Sequence, residues 1–133
     1  VHMHMETYKN MKHHPPLPET IAYLKEKNRC SVVKEDESSQ IPGVSVVLIG
    51  GHSPGSSVVY ADTSEGTILF PGDEIYLLEN LKSRIPVGTY FHTERNREFI
   101  EKTASRSDLA QILTFHEPSL MAAEEKHKKV LSD

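Results

Sequence analysis

Strand-length apolar runs in this chain end in tight turns that carry chemically active side chains. Val44-Ser45-Val46-Val47-Leu48-Ile49 leads into Gly51-His52-Ser53-Pro54-Gly55, and Thr67-Ile68-Leu69-Phe70 leads into Pro71-Gly72-Asp73. Ser-Pro-Gly and Pro-Gly sequences interrupt regular structure, so His52 and Asp73 are held at strand ends. A third run, Leu109 to Phe115, ends at His116. Imidazole and carboxylate groups together bind zinc, iron or manganese. The C-terminal ends of strands are where an open layered sheet collects its functional groups. Each residue keeps a plainer alternative. His52 can cap its turn, Asp73 can bond its own backbone, and His116 can simply end a strand.

Composition narrows the partners. With 133 residues the chain is expected to be a single domain, 1–133. At 37% hydrophobic residues it buries a core of modest size. The net charge of −4 and the absence of a basic stripe argue against nucleic acid as a partner. The apolar runs fall far short of the roughly 20 residues that span a bilayer, which argues against a membrane. The start lacks a charged segment followed by an apolar one, so no signal peptide is expected. A single cysteine, Cys30, forbids an internal disulfide and fits a cytoplasmic location. Cys30 itself reads as a buried thiol on a strand rather than a nucleophile.

The order of elements reads as mixed α/β. Residues 1–16 are rich in His and Met, end in Pro15-Pro16, and read as irregular. Pro18 to Asn28 reads as a helix with an Ile21 and Leu24 stripe. Cys30 to Val33 reads as a strand, 34–40 as a solvated loop, and Val44 to Ile49 as a strand buried on both faces or nearly so. Val58 to Ala61 and Thr67 to Phe70 form a hairpin. Glu94 to Ala104 places Phe99, Ile100 and Thr103 at helical spacing, with Thr93 as N-cap. Leu109 to Phe115 is a last buried strand, and Ser119 to Leu131 a charged terminal helix. His13 and His14 read as solvated, and His92 and His127 as surface groups.

Gly-His-Ser-Pro-Gly, a hairpin, Gly72-Asp73-x-x-Tyr76 and a strand ending in His116 together resemble the metallo-β-lactamase fold. The N-acyl homoserine lactonase branch is the most similar, over roughly residues 40–118. Ile41-Pro42-Gly43-Val44 and Glu79-Asn80-Leu81 also match, while Ser56 stands where the branch often has a second histidine. The resemblance makes the start legible. Val1-His2-Met3-His4-Met5-Glu6-Thr7 sits where the family carries His-x-His-x-Asp-His, so His2 and His4 match, Glu6 replaces the aspartate and Thr7 the last histidine. The other reading of those residues is an appended tail with Met5 as the natural start.

The resemblance implies an αββα sandwich that lacks its first sheet layer, because the chain has no room for the sheet that normally precedes His-x-His. A segment missing upstream, a partner supplying the layer, or a divergent half-domain each account for this. A lone half implies association through its exposed sheet face, as a homo-oligomer. The implied metal ligands are His2, His4, His52, Asp73 and His116. One divalent ion would use His2, His4 and His52, with Asp73 bridging to a weak or absent second ion because Thr7 is a poor ligand. Zinc leads, with iron or manganese as alternatives. The implied activity is hydrolysis, a metal-activated water attacking a lactone or ester carbonyl of a small-molecule substrate. Tyr76 would hydrogen-bond the carbonyl oxygen, Asp73 would hold the metal, and Glu6 would handle the proton. A catalytically degenerate metal- or ligand-binding domain and a structural half-domain are the alternatives. Arg84 and Tyr90, in the loop over 82–93, are weaker substrate-contact candidates.

Overall fold

The computed structural model describes residues 2–4, 17–29, 31–33, 41–88 and 91–120. Strand β1 (His2–His4) pairs in parallel with β2 (Ser31–Val33), and helix α1 (Leu17–Glu26) lies between them in sequence. A second sheet has four strands in the order β3 (Val44–Leu48), β4 (Ser57–Thr63), β5 (Gly66–Phe70) and β6 (Leu109–Ile112). β3, β4 and β5 are antiparallel neighbours, while β6 runs parallel to β5. A parallel neighbour needs a crossover. Here the crossover contains a 3-10 turn (Gly72–Glu74), helix α2 (Leu78–Ser83) and helix α3 (Thr93–Ala104).

Side-chain alternation along the strands sorts residues onto two faces. Val58 and Leu69 point to one face and are fully buried with Ile75 and Ile100, beside Phe99. This is the core. Phe99, Ile100 and Thr103 recur at helical spacing on α3 and are buried there, as their periodicity predicts. The opposite face aligns Val44 with Ala61, Val46 with Val59, Val59 with Phe70 and Ala61 with Ile68. Those six residues are apolar, and each is only half-buried.

The hairpin, β3 and the α1 and α3 helices lie where the sequence places them, within two residues or so at their ends. Four expectations change. His2–His4 is a strand, not part of an irregular start, because it gains backbone partners in Ser31–Val33 that are far away in sequence. β3 is half-buried, with Val47 42% exposed, rather than buried on both faces. The last strand stops at Ile112, exposes Ala110 and Gln111, and leaves Phe115 66% exposed, so it is an edge strand and not a buried one. The N-cap of α3 is His92, not Thr93. Its Nδ1 accepts the Arg95 N–H at 3.4 Å. Helix α2 was not expected, since Ile75 to Leu78 reads as a plain apolar stretch. Asn80 holds it by accepting the Leu77 N–H at 2.9 Å and donating to the Ile85 carbonyl at 3.0 Å.

The expectations for Cys30, His13, His14, Tyr90 and His127 and for the loop over 34–40 fall outside the described residues. So does the terminal helix beyond Leu120. Among the described residues no helix is long and apolar enough to cross a membrane.

Candidate metal centre

The turn after β3 is closed by backbone bonds. The Ile49 and Gly50 amides both donate to the Ser56 carbonyl, at 3.0 and 2.9 Å, and Gly50 takes a positive φ of 69°. This is the conformation in which glycine costs least. The turn delivers His52 to the end of the sheet. After β5, Gly72 with a φ of 54° starts the 3-10 turn that presents Asp73. His116 follows β6 at the same end.

The three side chains meet at Asp73. His52 Nε2 lies 3.6 Å from Asp73 Oδ2, and His116 Nε2 lies 3.3 Å from Asp73 Oδ1. Each imidazole therefore faces a different oxygen of one carboxylate. Tyr76 is wedged between the two rings, edge-on to both, with centroids 5.9 Å from His52 and 4.7 Å from His116. Its hydroxyl is 3.3 Å from His52 Nδ1. A ligating histidine is commonly oriented through its other ring nitrogen, and Tyr76 occupies that position here. Asp73 is 48% exposed and His116 55%, so the cluster is open to small molecules from solvent.

The donors fit a divalent metal in kind, two imidazole nitrogens around a carboxylate with both oxygens engaged. Among the described residues, however, no three or more His, Cys, Asp or Glu side chains form a complete group able to hold an ion. His2 and His4 lie on β1 opposite Ser31 and Val33, but their rings, like Glu6 and Thr7, are outside the described residues. Arg84 is the left-handed C-cap of α2, with a φ of 56°, and makes no described contact with the cluster.

Two carboxyl groups that the sequence reading passed over tie the site together, and each is the neighbour of a candidate ligand. Glu74, next to Asp73, is fully buried. Its Oε1 accepts the Gly51 and His52 amides at 3.0 and 2.9 Å, and its Oε2 accepts Asn96 Nδ2 at 2.7 Å. Glu117, next to His116, accepts the Leu78 amide at 2.9 Å and the Ser119 hydroxyl at 2.8 Å. The Leu78 N–H, and then the Ser119 hydroxyl, hold the Glu117 carboxyl below the usual carboxylate range. One signal for the first of these groups was available. Asn96 stands three and four residues before Phe99 and Ile100, on the buried stripe of α3. A polar residue at a core position calls for a buried partner.

No protein-family profile matches this chain, and no curated protein matches it in sequence. Solved structures do match. An N-acyl homoserine lactone hydrolase, solved with N-hexanoyl-L-homoserine bound at its catalytic metal centre, superposes with a TM-score of 0.69 at 21% identity, covering 92% of this chain and 49% of that one. The chain has the metallo-β-lactamase fold. The hydrolase AbOPH of the β-lactamase superfamily gives a TM-score of 0.60 at 23% identity, over 77% of this chain and 36% of the other. A metallo-β-lactamase homologue from Thermotoga maritima gives 0.56 at 18%, over 87% and 55%. The chain thus spans about half the length of the lactone hydrolase it resembles.

Proposed function

We propose that this chain carries part of the active site of a metal-dependent hydrolase that opens a lactone or ester bond in a small molecule. The observation that carries the reading is the single carboxylate of Asp73 faced by His52 on one oxygen and His116 on the other. His52, Asp73 and His116 would hold metal, zinc before iron or manganese, with His2 and His4 joining His52 on one ion and His116 belonging to a weak or absent second one. When bound, such an ion supplies Lewis acidity and a water acidic enough to ionise near neutral pH.

Tyr76 follows from the tautomer of His52. If Nε2 keeps its lone pair as a ligand, the ring proton sits on Nδ1. That proton would then donate to the Tyr76 oxygen, and Tyr76 is the proposed hydrogen-bond donor to a substrate carbonyl, the role the family resemblance implies. The charge that develops on that carbonyl oxygen in the transition state strengthens the bond, which is how such a donor accelerates the reaction. Asp73 would serve as a ligand of the metal that the imidazoles face, and Glu6 is the proposed proton carrier. The cytoplasm is the proposed compartment, on the strength of the lone Cys30.

Elemental analysis of protein purified without added metal, on the native chain and on His52→Ala, tests the reading. One or two equivalents that disappear in the variant, together with turnover of a lactone or ester panel, support it. A folded, metal-free native chain sinks it. A second reading is a catalytically silent metal-binding domain of the same fold, favoured by Thr7 at the position of the family's last histidine. Bound metal without turnover would select it.

A further inference from the structure

We infer that Glu74 and Asn96 are positioning residues that set the direction of the His52 imidazole, and through it the pairing of His52 with Asp73 and Tyr76. The inference rests on the metal-site reading above. Glu74 is fully buried, and its two oxygens face three N–H donors. Two of them are the Gly51 and His52 amides of the histidine turn. The third is Asn96 Nδ2, which also donates to the Glu74 backbone carbonyl at 2.8 Å. Asn96 Oδ1 in turn accepts the Val87 amide at 3.0 Å, which fixes the amide's orientation. The His92 amide donates to the Gly51 carbonyl at 3.0 Å from the start of α3. One carboxyl group thereby joins the turn that carries His52, the turn that carries Asp73, helix α3 and the segment leading into 89–90.

Packing leaves no slack in this arrangement. A Cβ on Gly51 would stand 2.5 Å from Glu74 Oε2 and 2.8 Å from Asn96 Cβ. Hydrogen bonding is equally restrictive. Glutamine at 74 has one acceptor and one donor where the site needs two acceptors. Turned one way, its NH2 meets Asn96 Nδ2, and turned the other way it meets the Gly51 and His52 amides. Asn96 cannot flip to compensate without abandoning Val87. A buried donor left facing a donor costs more than a bond simply absent, so Glu74→Gln disturbs the histidine turn although it preserves shape.

The test combines two readouts on the whole chain, zinc titration against a chromophoric chelator and the nuclear Overhauser contact between the His52 and Tyr76 rings in metal-free protein. Glu74→Gln is compared with the native chain and with Glu101→Gln, an exposed control on α3, with circular dichroism confirming the fold of each. The expected result is zinc affinity lowered about 10–100-fold, the range seen when the supports of metal ligands are removed, and a weakened ring contact, with the control unchanged. Native affinity and an intact ring contact in folded Glu74→Gln overturn the inference. If the native chain binds no zinc, the ring contact alone decides. Its loss in Glu74→Gln upholds the positioning role while the metal reading fails, and its survival sinks both. Should Glu74→Gln not fold, Asn96→Ala takes its place, because it keeps the Glu74 bonds to Gly51 and His52 while releasing the second carboxyl oxygen, the Glu74 carbonyl and the Val87 amide. A smaller shift of the same sign supports the role, and no shift in either readout removes it.

Discussion

Gly51→Ala puts a methyl group where Glu74 and Asn96 already stand, 2.5 and 2.8 Å away. Overpacking of this kind costs about 1–3 kcal/mol, and the urea midpoint of the variant should fall accordingly. Tyr76→Phe keeps the ring between His52 and His116 but removes the hydroxyl that meets His52 Nδ1. If the phenol donates to the carbonyl in the transition state, kcat on a lactone or ester falls by about 10²-fold with KM little changed. A rise in KM alone would reassign Tyr76 to substrate binding. At this scale His52, Asp73 and His116 were legible as candidates because each stands beside a turn or at a strand end that the local sequence marks, while Tyr76 stood out only through the family resemblance. Glu74 and Glu117 were not. An acidic residue beside a turn usually means a solvated one, and only the folded chain shows their oxygens spent on backbone amides.

The elements hold the site through one helix face and one short connection. Ile100 on α3 is fully buried against the sheet, so Ile100→Ala should cost about 2–5 kcal/mol in chemical unfolding. Between α3 and β6, Arg106 forms a two-pronged pair with Asp108, at 3.0 and 2.6 Å, and lies over the Tyr60 ring at 5.0 Å. The Arg106 bond, and then the Asp108 backbone amide, hold the Asp108 carboxyl below its ordinary value. A depressed folded-state carboxyl stabilises above its unfolded pKa, and that contribution is lost as pH falls through the folded one. Thermal melts from pH 7 down to 3 should therefore show a smaller acid-dependent loss in Asp108→Asn than in the native chain, a modest difference for an exposed pair. Helix α3 was readable from a period of 3.6, and the hairpin and β3 from apolar runs bounded by turn residues. β1 was not, because three residues become a strand only through a partner some thirty residues away, Ser31 for His2. Nor was the edge position of β6, since an apolar run reads the same at an edge as at a centre.

The whole molecule buries one face of its four-stranded sheet under α3 and leaves Val44, Val46, Val59, Ala61, Ile68 and Phe70 half-buried on the other. From that apolar face we propose self-association. Sedimentation should then depend on concentration in the micromolar range, and Ile68→Lys should move the balance toward monomer. Concentration-independent sedimentation of the native chain would refute it. The amino-acid sequence by itself determined the mixed α/β class, the hairpin, the buried stripe of α3 and the turns that carry His52 and Asp73. Hydrophobic period and turn chemistry act over a few residues, and the apolar pattern leaves little choice. Only the tertiary structure decided that two histidines share the two oxygens of Asp73, that Tyr76 stands between them, and that a buried Glu74 holds the His52 turn to Asn96. Those contacts join residues 21 to 43 positions apart. Their geometry depends on how the sheet and α3 pack together, which no local rule encodes.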